Sequence, residues 1–328
     1  MSGQNNELLK FSVSGSMDKL LHECGFSTSQ AVETSNINEL SNLSEKIDMA
    51  SNILKLSTLV LEANIPKSML DRTRIAKQSI SAASLLTLTE YSKLSNKKIL
   101  DIINNCSTIS NELWSRYSKD PDKITSSLLN DFYNECGNYN LFFERYYSSM
   151  VISLGTALRG YIALVAKDIG GKFFDFGGGI GNLSSTVSNL GHKDVYIVET
   201  DNKELDFVKW RDKKCGNKNV NYIGSKEIDN FFENNKESFT FGASIEVMEH
   251  VLNPPELLEK ISGLIAPGGY LFLTSSFHIY PHPGHLKSNV KYTNKEDEIL
   301  KPYGLERVEF EDVPIPFLFN WKMFQKKT

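Results

Sequence analysis

Residues 173 to 184 read Phe-Phe-Asp-Phe-Gly-Gly-Gly-Ile-Gly-Asn-Leu-Ser, a short apolar strand that ends in an acid and runs into a glycine loop. The spacing Asp175-x-Gly177-x-Gly179-x-Gly181 removes a Cβ wherever the backbone must turn off the strand and lie close to a ligand. A dinucleotide fingerprint needs Gly-x-Gly-x-x-Gly, but its last place falls on Asn182 counted from Gly177 and on Ser184 counted from Gly179. No Gly-Lys-Ser/Thr follows, so the loop is not a phosphate-binding loop of the nucleotide triphosphatases either. The absent third glycine argues against a nicotinamide oxidoreductase.

Two further blocks extend this reading. Val195-Tyr-Ile-Val-Glu199 is a second apolar run closing on an acid, at an interval from Gly181 that suits one helix and a turn. An acid at the carboxyl end of a second parallel strand can accept hydrogen bonds from ribose hydroxyls; Asp201 competes but lies past the run. The third block holds Phe239-Thr-Phe-Gly-Ala-Ser-Ile-Glu-Val-Met-Glu-His-Val251, then Asn253-Pro-Pro-Glu-Leu-Leu258, then Ala266-Pro-Gly-Gly-Tyr-Leu-Phe-Leu-Thr-Ser-Ser276. It predicts a strand, a helix opened by Pro255 with Leu257, Leu258, Ile261 and Leu264 on its apolar face, and a strand Tyr270 to Thr274 after a Pro-Gly-Gly break.

An acid before Gly-x-Gly-x-Gly, a second strand ending in an acid, and Glu-Val-Met-Glu-His-Val followed by Pro-Gly-Gly, in this order, resemble the class I S-adenosylmethionine-dependent methyltransferases. The branch most similar in motif is that of the ubiquinone-biosynthesis O-methyltransferases. The resemblance covers about residues 150 to 328. It implies a Rossmann-like sheet of seven mostly parallel strands with an antiparallel last strand, and S-adenosylmethionine as cofactor. Asp175 and the loop glycines Gly177, Gly178, Gly179 and Gly181 are then expected at the methionine end of the cofactor and Glu199 at its ribose, with Asn182 and Thr200 also expected to bind it. Two places depart from the family pattern: Gly224-Ser225-Lys226 follows the third strand where many members have an acid for the adenine amine, leaving Ser225 or a backbone group to substitute, and Thr240 stands where an acid is usual.

Methyl transfer from a sulfonium is an in-line displacement, so an enzyme mainly aligns the acceptor and, where needed, removes its proton. His250, His278, His282 and His285 all lie beyond the fourth and fifth strands. His250 is the first candidate base and His278 the second; equally, His250 alone reads as a loop histidine beside the cofactor. Glu246, Glu249 and His250 share one face if their segment is helical. Such a set could hold a divalent ion that polarises a catechol-like acceptor, a possibility the resemblance also implies, although a site without metal is the favoured expectation. His282 and His285 could be a second ligand pair, or a loop shaped by Pro281 and Pro283. The aromatic run from Phe132 to Tyr147 could line an acceptor pocket or pack the core between domains.

The formal net charge of −4 speaks against a nucleic-acid partner. Four scattered cysteines match neither a zinc site nor a disulfide framework, and no apolar stretch reads as a signal peptide or membrane span. These features lead to the expectation of a cytoplasmic protein away from the membrane. Helical periodicity fills the first part of the chain, with turn clusters at Asn64-Ile65-Pro66 and Ser118 to Asp122. The expected division is a helical domain over 1–150, covering the acceptor or forming a homodimer contact, and a methyltransferase domain over 151–328. The first 40 residues, rich in serine and asparagine, are expected to be partly disordered. Thr293 to Glu296 predicts a capping box opening a helix before Gly304, and Leu305 to Val313 with Phe317 to Phe324 predicts two closing strands. The expected activity is methyl transfer to a small molecule in a biosynthetic pathway. The rivals are a protein or peptide methyltransferase and a non-catalytic adenosyl-binding module.

Overall fold

The computed structural model describes residues 43–69, 79–147, 154–308 and 321–328. Seven strands form one sheet in the order β3-β2-β1-β4-β5-β7-β6: β1 is Phe173–Phe176, β2 Val195–Val198, β3 Val220–Ile223, β4 Phe239–Ile245, β5 Ile265–Thr274, β6 Leu305–Val308 and β7 Trp321–Lys326. β1 to β5 pair in parallel, and β7 runs antiparallel to both β5 and β6. The order reverses at β1, which has β2 on one side and β4 on the other, and such switch points open a crevice at the carboxyl ends of the strands.

Helices cover both faces. Phe173, Val195, Ile197, Phe241 and Phe272 pack on one side, with Phe174, Phe239, Leu271 and Leu273 on the other, so strands buried on both faces appear in sequence as continuous apolar runs. Among the described residues, five α-helices precede β1: α1 Leu43–Asn64, α2 Ser79–Ser92, α3 Asn96–Tyr117, α4 Ser126–Tyr147 and α5 Leu154–Ile169. Ile53 and Leu56 of α1 and Ala157, Leu158, Tyr161, Ile162 and Ala163 of α5 belong to the same apolar cluster as Phe173 of β1. The early helices therefore pack directly on the sheet. After β1 come α6 Asn182–Asn189, α7 Lys203–Cys215, α8 Ile228–Asn234, α9 Pro254–Leu264 and α10 Glu296–Leu300. Asn202 caps α7 by accepting from the N–H groups of Glu204 and Leu205 at 2.9 and 3.1 Å. No described helix is long and apolar enough to cross a membrane.

Several local expectations differ from this picture. β5 begins at Ile265, so Pro267-Gly268-Gly269 lies within the strand, taken up as a register irregularity against β4 between Phe239 and Phe241. The capping box at 293 to 296 does not form. Thr293 Oγ1 donates to the carbonyl of Val290 at 2.8 Å, and α10 starts at Glu296 without a side-chain cap. Glu246 adopts a left-handed φ of 55°, and only Met248–His250 makes a helical turn, so Glu246, Glu249 and His250 do not share a helix face. β6 ends at Val308 and β7 starts at Trp321; the remainder of the two expected closing strands, and the serine- and asparagine-rich first 40 residues, lie outside the described residues.

Candidate functional site

The glycine loop leaves β1 as a chain of left-handed turns, with φ of 69° at Gly177, 51° at Gly179 and 66° at Gly181, a region that side chains beyond Cβ rarely tolerate. A Cβ on Gly177 would lie 2.3 Å from Val247 Cγ2. The loop after β1 and the loop after β4 are therefore in contact at the switch point.

Two buried groups hold the loop in shape. Asp175, at the end of β1, accepts from the N–H of Ser184 in α6 at 3.1 Å. Arg211, fully buried on α7, donates to the carbonyls of Ile180 and Gly181 at 2.6 and 3.1 Å and pairs with Asp212 at 3.1 Å. Nothing in the sequence distinguishes this arginine from the lysines around it, and its role emerges only when α7 packs beside the loop. Burial pushes the Asp175 carboxyl up to about 7; Glu199 adds to this, while Arg159 and the Ser184 N–H oppose it.

Glu199 closes β2 next to the loop. Its Oε2 accepts from Gly179 N–H at 2.7 Å, and its Oε1 accepts from the N–H and hydroxyl of Thr200 at 2.7 and 2.9 Å. Ser225 sits after β3 and accepts from Asp201 N–H at 3.3 Å. Asn182 opens α6 with little exposure. The structure thus gathers Asp175, the glycines, Glu199, Thr200 and Ser225 along the carboxyl ends of β1 to β3.

A second cluster forms beyond β4 and β5. One ligand atom each from Glu249, His250 and His285 lies within 4.8 Å of the others. Neither carboxylate oxygen of Glu249 meets a hydrogen-bond donor at good geometry, although the Ser276 backbone is near; likewise His250 Nδ1 lies close to the Gly284 backbone without a bond. His285 Nδ1 lies 2.7 Å from the carbonyl of Ile279, a contact that protonates Nδ1 and leaves Nε2 as the acceptor. Burial and the neighbouring His285 push His250 down to about 3, so it stays neutral at ordinary pH. Burial, with Glu246 nearby, pushes Glu249 up to about 8. Two neutral imidazoles and a carboxyl group whose proton a metal would displace fit a divalent ion.

His285 thus stands where Glu246 was expected. Glu246 instead accepts from the Ser276 hydroxyl, because its left-handed backbone turns it towards the end of β5. His278 is exposed in the loop after β5, and His282 is exposed with its ring 4.5 Å from that of His285; neither belongs to the cluster. Of the aromatic run, Phe132 packs with Leu113 and Cys136, and Phe142 with Ile180 and Phe207. Tyr133 reaches the site, with its ring 5.9 Å from that of His250.

Residues 153–306 match the family model described as a methyltransferase domain. The match spans 154 of the 328 residues, just under half of the chain. Over 109 residues the chain is 30% identical to the mitochondrial ubiquinone biosynthesis O-methyltransferase of Dictyostelium discoideum. That alignment spans 31% of this chain and only 34% of the relative's length. A solved S-adenosylmethionine-dependent methyltransferase from Aquifex aeolicus is 20% identical, covering 49% of this chain and 86% of that one, with a TM-score of 0.37. An O-methyltransferase family protein from Burkholderia thailandensis is 14% identical, covering 65% and 62%, with a TM-score of 0.42. The residues present suit S-adenosylmethionine: carboxylates end β1 and β2, where a ligand with an ammonium and a ribose needs acceptors.

Proposed function

We propose that the protein transfers the methyl group of S-adenosylmethionine to an oxygen of a small-molecule acceptor, with a divalent ion held by Glu249, His250 and His285. The observation that carries this reading is the contact between Gly177 and Val247, which sets the glycine loop of the methyltransferase domain against the loop bearing Glu249 and His250. When bound, S-adenosylmethionine supplies an electrophilic methyl group on a sulfonium.

Asp175, the glycine loop and Glu199 would hold the cofactor, and Arg211 keeps the loop rigid so that binding costs little reorganisation. Thr200 and Ser225 would serve its ribose and adenine end. A divalent ion would lower the pKa of an acceptor hydroxyl and orient it. His250, held neutral with an unusually low affinity for protons, suits a ligand better than a base that must retain the acceptor's proton. His278, exposed in the loop after β5, remains the second candidate for taking the acceptor's proton. Tyr133 would place the helical layer over the acceptor. The three described cysteines are free thiols, which supports a reducing compartment such as the cytoplasm as part of this reading.

The test is release of S-adenosylhomocysteine from the full chain with a panel of phenols and catechols, with and without magnesium or zinc, after chelation. Turnover with a catechol that requires added metal is the expected result. Turnover unaffected by chelation would overturn the metal assignment, and methylation only of peptides would overturn the acceptor class.

A further inference from the structure

Glu249, His250 and His285 come from two segments that are far apart in the chain. Glu249 and His250 lie on the helical turn Met248–His250 after β4, and His285 closes the loop after β5. Asn289 joins the two. It is buried in the short helical stretch Lys287–Tyr292, and its Nδ2 faces the turn, 3.3 Å from the carbonyl oxygen of Met248, 3.1 Å from that of Glu249 and 2.8 Å from that of Val251. A side-chain amide has two N–H hydrogens, so its whole donor capacity goes to this turn.

The turn needs those donors. It ends after three residues, and Val251 is extended with φ −100° and ψ 150°, so the chain does not continue as a helix that would supply N–H groups to the last carbonyls. The N–H of Leu286, the residue after His285, makes a further bond to the Glu249 carbonyl at 3.1 Å. The Asn289 N–H returns to the Leu286 carbonyl at 2.9 Å, which closes the stretch on itself. The backbone of Glu249 is thus cross-linked to the backbone beside His285. Beyond the stretch, Glu296 at the start of α10 is fully buried and accepts from the Ser275 hydroxyl after β5 and from Lys322 of β7. The arm that carries His285 is therefore tied both to the turn and to the sheet.

We propose that Asn289 is a positioning residue for the metal pocket, whose amide holds Glu249 and His250 at the spacing from His285 that one divalent ion requires. This inference rests on the metal-assisted reading of the site. Asn289 acts through the ligands, as partners beyond the ligating atoms do when they fix a ligand's orientation.

Cobalt(II), titrated into the full chain and followed by its visible absorption, tests the proposal beside calorimetry with S-adenosylmethionine. For Asn289→Ala, cobalt affinity is expected to fall about 10- to 100-fold, with turnover of a catechol restored at raised metal concentration and S-adenosylmethionine affinity unchanged. Asn289→Asp keeps the shape but sets oxygen against three carbonyls, and is expected to lose as much. Asn289→Ser keeps one donor, is expected to fall between these and the wild type, and carries the test if the other two do not fold. Unchanged cobalt affinity in the variants overturns the proposal. So does a parallel loss of S-adenosylmethionine affinity, which marks a general loosening of the fold. A wild-type chain that binds S-adenosylmethionine but no cobalt fails the metal reading itself, and this proposal with it.

Discussion

The glycine loop after β1 and the histidine pocket after β4 and β5 touch each other, yet their polar groups are arranged in opposite ways. In the loop, carbonyls of Ile180 and Gly181 meet Arg211, the Ser184 N–H meets Asp175 and the Gly179 N–H meets Glu199. In the pocket, both oxygens of Glu249 and Nδ1 of His250 are buried without a hydrogen bond. Leaving buried polar atoms unmatched costs stability. The difference teaches that the loop is built to keep its own shape, while the pocket brings Glu249, His250 and His285 within 4.8 Å of one another with acceptor atoms to spare for a ligand with positive charge.

The comparison breaks most sharply if the loop tolerates a side chain. Gly177→Val needs a left-handed φ for a β-branched residue and drives a Cβ to 2.3 Å from Val247, so cofactor affinity is expected to fall on the order of 1,000-fold; titration calorimetry reads it. Next in size is Arg211→Met. Losing a buried cation leaves Asp212 with only the Ser185 and Tyr222 hydroxyls and frees two carbonyls, for which about 3 kcal/mol of stability is expected to go, read as a lowered unfolding midpoint in denaturant. In the pocket, Glu249→Gln and His285→Ala are each expected to lower metal-dependent turnover about 100-fold while cofactor affinity holds. Loss of cofactor binding in those two variants would merge the two regions into one.

The smallest effect is one of pH. The folded pKa of Asp175, about 7, lies above its ordinary value of 3.8, so the native state holds that proton while the unfolded chain has released it. For the free protein, stability from this group is therefore lost as pH rises from about 4 to 7. A cationic ligand favours the ionised carboxylate. Affinity for S-adenosylmethionine is accordingly expected to rise up to about tenfold per pH unit below 7 and to level off above it, and Asp175→Asn should flatten the profile. A flat profile in the wild-type chain would show that the carboxyl is already ionised.

Much of the loop's architecture was legible because its signals are local. Each buried parallel strand is a continuous apolar run, each turn off a strand needs glycine, and Pro254 and Pro255 sit in the first turn of α9 where a missing N–H costs nothing. The pocket was harder to read. His285 is 35 positions from His250 in sequence, and the helical periodicity that suggested Glu246 as its partner fails at the left-handed turn of Glu246 itself. The aromatic run on α4 was visible, but which of its rings reach the site depends on how that helix lies.

The sequence by itself determined the alternation of strands and helices after residue 170, the glycine loop with its two flanking acids, and the match of residues 153–306 to a methyltransferase domain model. These depend on backbone turns and hydrophobic periods that operate over a few residues. Only the tertiary structure decided that Arg211 clamps the loop, that His285 joins Glu249 and His250, and that Tyr133 arrives from a helix that precedes the domain. Those contacts join segments far apart in the chain. The packing of α4 and α7 against the sheet brings them together, and no local pattern encodes it.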